Sequence, residues 1–199
     1  VNYYGSIKAL LFLLNTDCAV SIDKSSRFLS DLTGGKLKIS KGMINKLCRE
    51  FSSKAQAEQK KIFADLLSSA VMHIDCTNAG VNGESAYVYV CATPDEQKVL
   101  YFAREKKGHE SVKGTVTEDF QGILVHDHEI TFYKYGNAHQ ECLAHVQRYL
   151  KDSMENEPSL TWHRKMRELI REMVHYRNEH ADDAHLDPKI VSDFEGKYQ

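Results

Sequence analysis

The chain has 199 residues, 42% hydrophobic and 27% charged, with a formal net charge of −2 at pH 7. That length and balance suit one large globular domain, or a small one beside a medium one, and exclude a disordered or fibrous chain. No apolar run approaches the roughly 20 residues of a membrane span, and the small net charge neither announces nor excludes a nucleic-acid partner. Five scattered cysteines (18, 48, 76, 91 and 142) without a CxxC pair point to a reducing, cytoplasmic setting rather than a disulfide framework. The chain opens on Val1 without a signal peptide and stops at Gly196-Lys-Tyr-Gln199, the pattern expected of a piece of something longer.

Residues 1–69 read as a helical region. Ser6 can cap Ile7–Asn15, and Asp23 or Ser25 can cap a helix that runs through Leu32 to Gly34-Gly35. Ser40 can cap Lys41–Phe51, with Met43, Ile44 and Leu47 at helical spacing, and Ala55–Ser69 makes a last helix. Two helices around Gly34-Gly35 are compatible with a helix-turn-helix in which Ser40–Arg49 reads DNA. Lys36, Lys38, Lys41, Lys46 and Arg49 give this neighbourhood a basic tint; a helical cap with a solvated basic face is the alternative.

From Ala70 the pattern becomes β-type: Val71–Asp75, Ala86–Ala92 and Lys98–Ala103, joined by turns at Val81-Asn82-Gly83 and Pro94-Asp95-Glu96. Ser111–Phe120 reads as a helix with Thr117 and Asp119 facing solvent. Gly122 opens another apolar strand, Ile123-Leu124-Val125, which ends in His126-Asp127-His128. Asn137–Lys151 reads as a helix. Thr161–Asn178 reads as a longer one with a core stripe of Trp162, Met166, Leu169, Ile170 and Met173, and residues 179–199 as a loop or fraying end.

Three antiparallel strands, a helical crossover and a fourth, parallel strand make a mixed α/β sheet flanked by helices. The right-handed crossover rule sets the strand before Asp127 beside the strand carrying Asp75. Alternation along Val71–Asp75 puts His73 and Asp75 on one face and Met72 and Ile74 on the other. An acid alone at a strand end is either a turn cap or a group that is paired or bound to an ion. Two acids at the same end of strands about 4.8 Å apart can share a proton, hold Mg²⁺ or Mn²⁺, or repel at the rim. Downstream, His139, Cys142 and His145 would share one broad face of a helix. They offer either zinc ligands short of a full set, or a buried cysteine with histidine neighbours.

The run His73-Ile-Asp75-Cys-Thr, the turn Val81-Asn-Gly83 before an aromatic strand, Gly122-Ile-Leu-Val-His-Asp127, and Cys142-Leu-Ala-His145 with Arg148 resemble the insertion sequence 66 family of bacterial transposases. Ser40-Lys-Gly-Met-Ile-Asn-Lys-Leu is similar to that family's segment ahead of its catalytic domain. The resemblance implies a ribonuclease H-like core, residues 70–158, after a helical region, residues 1–69, with residues 159–199 starting a helical insertion. It implies an Asp-Asp-Glu triad with two Mg²⁺ (or Mn²⁺) ions, Asp75 and Asp127 being the first two acids and metal ligands, and Cys142 and His145 structural support. It further implies double-stranded DNA partners, namely transposon terminal repeats and target DNA, a homo-oligomeric active complex and no membrane. The family's third acid lies in an Asn-Asn-x-x-Glu-Arg type segment, and no Asn-Asn occurs here. Glu168 and Glu172 are spaced plausibly for that acid, but their helix better matches the start of the insertion. The expectation is therefore a chain that lacks its third acid, binds metal weakly and catalyses poorly or not at all. Two other functions compete: a ribonuclease H-like nuclease or resolvase, and a non-catalytic DNA-binding or assembly module.

Overall fold

The computed structural model describes residues 5–198, which divide into two compact units, Val1–Ala64 and Asp65–Gln199.

The first unit contains α1 (Gly5–Thr16), α2 (Ile22–Leu32), α3 (Lys41–Lys54) and most of α4 (Gln56–Leu67). Leu11, Leu29, Ile39, Ile44 and Leu47 form its core, so the apolar positions of three amphipathic helices meet in one place. Ser40 caps α3 as expected, accepting from the Met43 N–H at 3.2 Å. The cap of α2 is Ser21, which accepts from the Lys24 N–H at 3.3 Å, not Asp23 or Ser25. Ser25 is buried within the helix and accepts from the Asn15 amide at 3.0 Å.

The second unit is built on a five-stranded sheet in the order β3-β2-β1-β4-β5. Its strands are β1 (Val71–Val81), β2 (Glu84–Ala92), β3 (Val99–Arg104), β4 (Ile123–His126) and β5 (Ala138–Glu141). β1, β2 and β3 pair antiparallel; β4 pairs parallel with β1 and β5 parallel with β4. The mixed sheet and the placement of β4 beside β1 are those read from the sequence. The β1–β2 turn uses Asn82 and Gly83, both at positive φ (53° and 84°), the backbone a two-residue hairpin needs. Because that hairpin is long, β1 continues six residues past Asp75, which therefore lies mid-strand and not at its end.

Other expectations are corrected. Ser111–Phe120 is two short helices, α5 (His109–Val112) and α6 (Val116–Asp119), interrupted at Gly114, whose φ is 70°. Thr117 is buried, not solvent-facing, with its hydroxyl 3.6 Å from the Cys91 thiol of β2. Asn137–Lys151 is not one helix: β5 comes first and α7 (Leu143–Asn156) follows. In α8 (Trp162–Glu179), Leu169 and Ile170 are buried but Trp162 is 54% exposed, and His163 takes the buried place instead. The His163 Nε2 faces the Glu157 carbonyl at 3.0 Å. The C-terminal stretch carries a further helix, α9 (Pro188–Tyr198), packed on α8.

Met72, Ile74, Tyr89, Cys91, Val112, Val116, Phe120, Leu124 and Phe132 are buried in this unit, with Tyr89 and Phe132 edge to face at 6.2 Å. Alternation along β1 holds: Met72 and Ile74 are buried while His73 and Asp75 are exposed. At Gly122 a Cβ would stand 2.5 Å from the Ala70 carbonyl oxygen, which accepts the Ile123 N–H at 2.9 Å. Only glycine lets β4 start this close to β1.

Candidate metal centre

Three elements converge where β4 ends. The β1/β4 register pairs Val71 with Ile123 and His73 with Val125, so two further steps bring Asp75 level with Asp127. β5 then runs beside β4, and Cys142, directly after it, donates its N–H to the His126 carbonyl at 2.7 Å. Cys142 is the N-cap of α7, and its own carbonyl accepts from His145 and Val146 at 2.9 and 3.0 Å. The first turn of α7 is thereby tied to the residue immediately before Asp127.

The result is a cluster: one donor atom from each of Asp75, Asp127 and His145, all within 4.8 Å of one another. Asp75 is exposed, Asp127 and His145 partly buried. The Asp75 carboxylate accepts from the Cys76 N–H at 2.8 Å, and Asp127 accepts from the Glu129 N–H at 3.1 Å, an Asx-type turn that fixes its orientation. Thus the capping and ion-facing readings of these acids coexist: each uses one oxygen locally and retains the other. Nδ1 of His145 is buried and has no hydrogen-bond partner among the described residues. Burial pushes the neighbouring Cys76 thiol up; Lys107 and Tyr89 oppose that shift, and the charges of Asp75 and Asp127 add to it.

His139 and Cys142 do not join His145. His139 lies on β5, with Nδ1 3.1 Å from Nε2 of His126, and Cys142 caps α7, so the shared helical face expected for the three residues does not exist. His126 is fully buried and its Nδ1 donates to the Asp127 carbonyl, which leaves Nε2 to accept from His139 when both rings are neutral. Burial, then His126, holds His139 below its ordinary value. Glu168 and Glu172 are exposed on α8 and lie outside the cluster.

An open cleft of about 590 Å³ beside the cluster is lined by Asp127, His128, Glu129, Glu141 and Tyr149. Glu141 sits at the end of β5, accepts from the Tyr133 hydroxyl and lies 2.6 Å from Nδ1 of His128. Those two contacts, with Tyr133 the stronger, hold its carboxyl below the usual range. Reciprocally, the bond to Glu141 and then burial push the Tyr133 phenol up to about 12. Sequence reading missed Glu141 and Tyr149 as cleft residues because Ala-His-Gln-Glu lacks the β-branched signature of a strand; Gly136, at a φ of 72°, was the available turn signal.

In the first unit Lys36, Lys38, Lys41, Lys46 and Arg49 are all exposed. Lys41 pairs with Asp23 at 2.5 Å and Lys46 with Glu50 at 3.8 Å, whereas Lys36, Lys38 and Arg49 have no ion pair among the described residues. No helix among the described residues is long and apolar enough to cross a membrane.

Comparison with curated proteins and with solved structures finds no match. The family model described as Transposase IS66 family matches residues 6–192, which spans both units. The chain belongs to the IS66 family of transposases.

Proposed function

We propose that the second unit carries the metal-dependent phosphodiester chemistry of a DNA transposase, cutting transposon ends and joining the freed 3′ hydroxyl to target DNA. The observation that carries this reading is the convergence of Asp75 and Asp127 from adjacent parallel strands, with donor atoms within 4.8 Å. Oxygen donors of this kind suit Mg²⁺ or Mn²⁺, which retain several waters and need few protein ligands. Bound there, such an ion supplies Lewis-acid stabilisation of the phosphoryl oxygens and an acidified water or hydroxyl, and two ions do both at once. The chain's own contribution is orientation. The Glu129 N–H holds one Asp127 oxygen and the Cys76 N–H one Asp75 oxygen, leaving the others directed by a rigid sheet.

In this reading residues 70–158 are the catalytic core, residues 1–69 a helical region that contacts DNA, and residues 159–199 the start of a helical insertion. Lys36, Lys38 and Arg49, exposed and without acidic partners among the described residues, supply phosphate contacts. The third acid of the triad is expected outside this chain, so the test is cleavage and strand transfer on terminal-repeat DNA by the full-length reading frame and its Asp75→Asn and Asp127→Asn variants. Each variant is expected to lose at least about a hundredfold in rate; variants as active as the parent protein refute the assignment. Preferential cutting of an RNA–DNA hybrid or a four-way junction would select a nuclease or resolvase instead.

A further inference from the structure

We infer that His145 is the third ligand of this centre, and that its nitrogen makes the site prefer Mn²⁺ over Mg²⁺. This inference rests on the metal-binding role proposed for Asp75 and Asp127, and adds to it a donor and a selectivity.

Two independent observations lead here. The first is position: a donor atom of His145 lies with one from each acid inside a 4.8 Å cluster, yet no hydrogen bond or ion pair joins His145 to either acid among the described residues. The three groups surround a space without satisfying one another. Three donors around one ion stand roughly 3.0–3.6 Å apart at ligand distances of about 2.1 Å, so side-chain shifts of about 1 Å or less close the cluster on an ion. The second is the stranded nitrogen: Nδ1 of His145 is buried and unpartnered. Leaving such an atom unbound is costly, and a ring nitrogen of this same histidine is the donor that faces both acids. The backbone supports the placement. His145 stands in the first turn of α7, whose cap residue Cys142 is bonded to the His126 carbonyl beside Asp127.

Donor chemistry then sets the selectivity. Carboxylates serve Mg²⁺, Ca²⁺ and Mn²⁺ alike, whereas imidazole favours transition metals and adds little for Mg²⁺. A set of two carboxylates and one imidazole thus binds Mn²⁺ more tightly than the acids alone do, while Mg²⁺ binding depends almost wholly on the acids.

The experiment is Mn²⁺ titration of the whole chain followed by electron paramagnetic resonance, with Mg²⁺ as competitor. The series comprises the parent protein, His145→Ala, His145→Glu, Asp75→Asn and the exposed control His175→Gln, each checked for folding by circular dichroism. We expect His145→Ala to weaken Mn²⁺ at least about tenfold and Mg²⁺ less than about threefold. His145→Glu should restore tight binding with a lower Mn²⁺-to-Mg²⁺ ratio, and His175→Gln should change nothing. Independently of any variant, pulsed resonance of the Mn²⁺-loaded parent protein should show a directly coordinated nitrogen. Absence of that nitrogen coupling, or His145→Ala matching the parent protein while Asp75→Asn abolishes binding, overturns the role of His145 and leaves the acid pair standing. Asp75→Asn with undiminished Mn²⁺ affinity overturns the underlying site as well.

Discussion

The residues around the centre divide between local bonds and bonds they leave unmade. Tyr133 and Glu141 illustrate the first kind. The phenol donates to the carboxylate, so ionising Tyr133 sets two negative charges together, and the fold holds that proton more tightly than the unfolded chain does. A raised phenol, up to about 12, contributes stability that is fully present below pH 10 and lost as pH rises from there through about 12. Glu141 has the opposite sign: its carboxyl is lowered, so its contribution is present above the ordinary 4.5 and lost as pH falls through the lowered value. Tyr133→Phe should therefore move the Glu141 titration up towards 4.5 in carbon-detected resonance spectra; an unmoved Glu141 would assign the shift to His128 alone. His145 is of the second kind, its buried Nδ1 unpartnered where two carboxylates each retain a free oxygen.

Among the elements, the β1–β4 pairing matters most, and Gly122 permits it. An alanine there sets its Cβ 2.5 Å from the Ala70 carbonyl, an atom already engaged by the Ile123 N–H, so relief requires moving β4 off β1. Gly122→Ala should cost about 2 kcal/mol in denaturant unfolding and weaken Mn²⁺ binding in the same variant, because Asp127 moves with β4. An alanine variant with unchanged stability would show that the strand has room the present register denies. This pairing was legible in the sequence. The apolar run Ile123-Leu124-Val125, the crossover rule and the alternation along Val71–Asp75 were enough to bring Asp75 and Asp127 together. The arrival of His145 was not legible. It depends on β5, four residues of weak strand propensity held by parallel pairing to β4, and on Cys142, a helix cap without a capping side-chain bond. Tertiary pairing overrides local propensity there, as it does at Gly114, where a positive φ splits the helix read over Ser111–Phe120.

For the molecule as a whole, the net charge of −2 conceals an uneven distribution of charge along the chain. Acids gather at the sheet, and Lys36, Lys38 and Arg49, without an ion pair among the described residues, stand exposed on the helical unit. If Lys36, Lys38 and Arg49 contact phosphates, replacing all three with Gln should weaken binding to any duplex and flatten the dependence of log Kd on log salt by about three. Lys41 and Lys46, held by Asp23 and Glu50, should contribute less. An unchanged salt slope in the triple variant would remove this surface from the DNA interface without touching the metal centre.

The central claim is that Asp75 and Asp127 together hold a divalent cation. Anomalous scattering from a crystal of the protein soaked in Mn²⁺ tests it most directly. A peak bridging the two carboxylates is expected, within about 2.2 Å of one oxygen from each. An empty position between them in a crystal that binds Mn²⁺ elsewhere would contradict it.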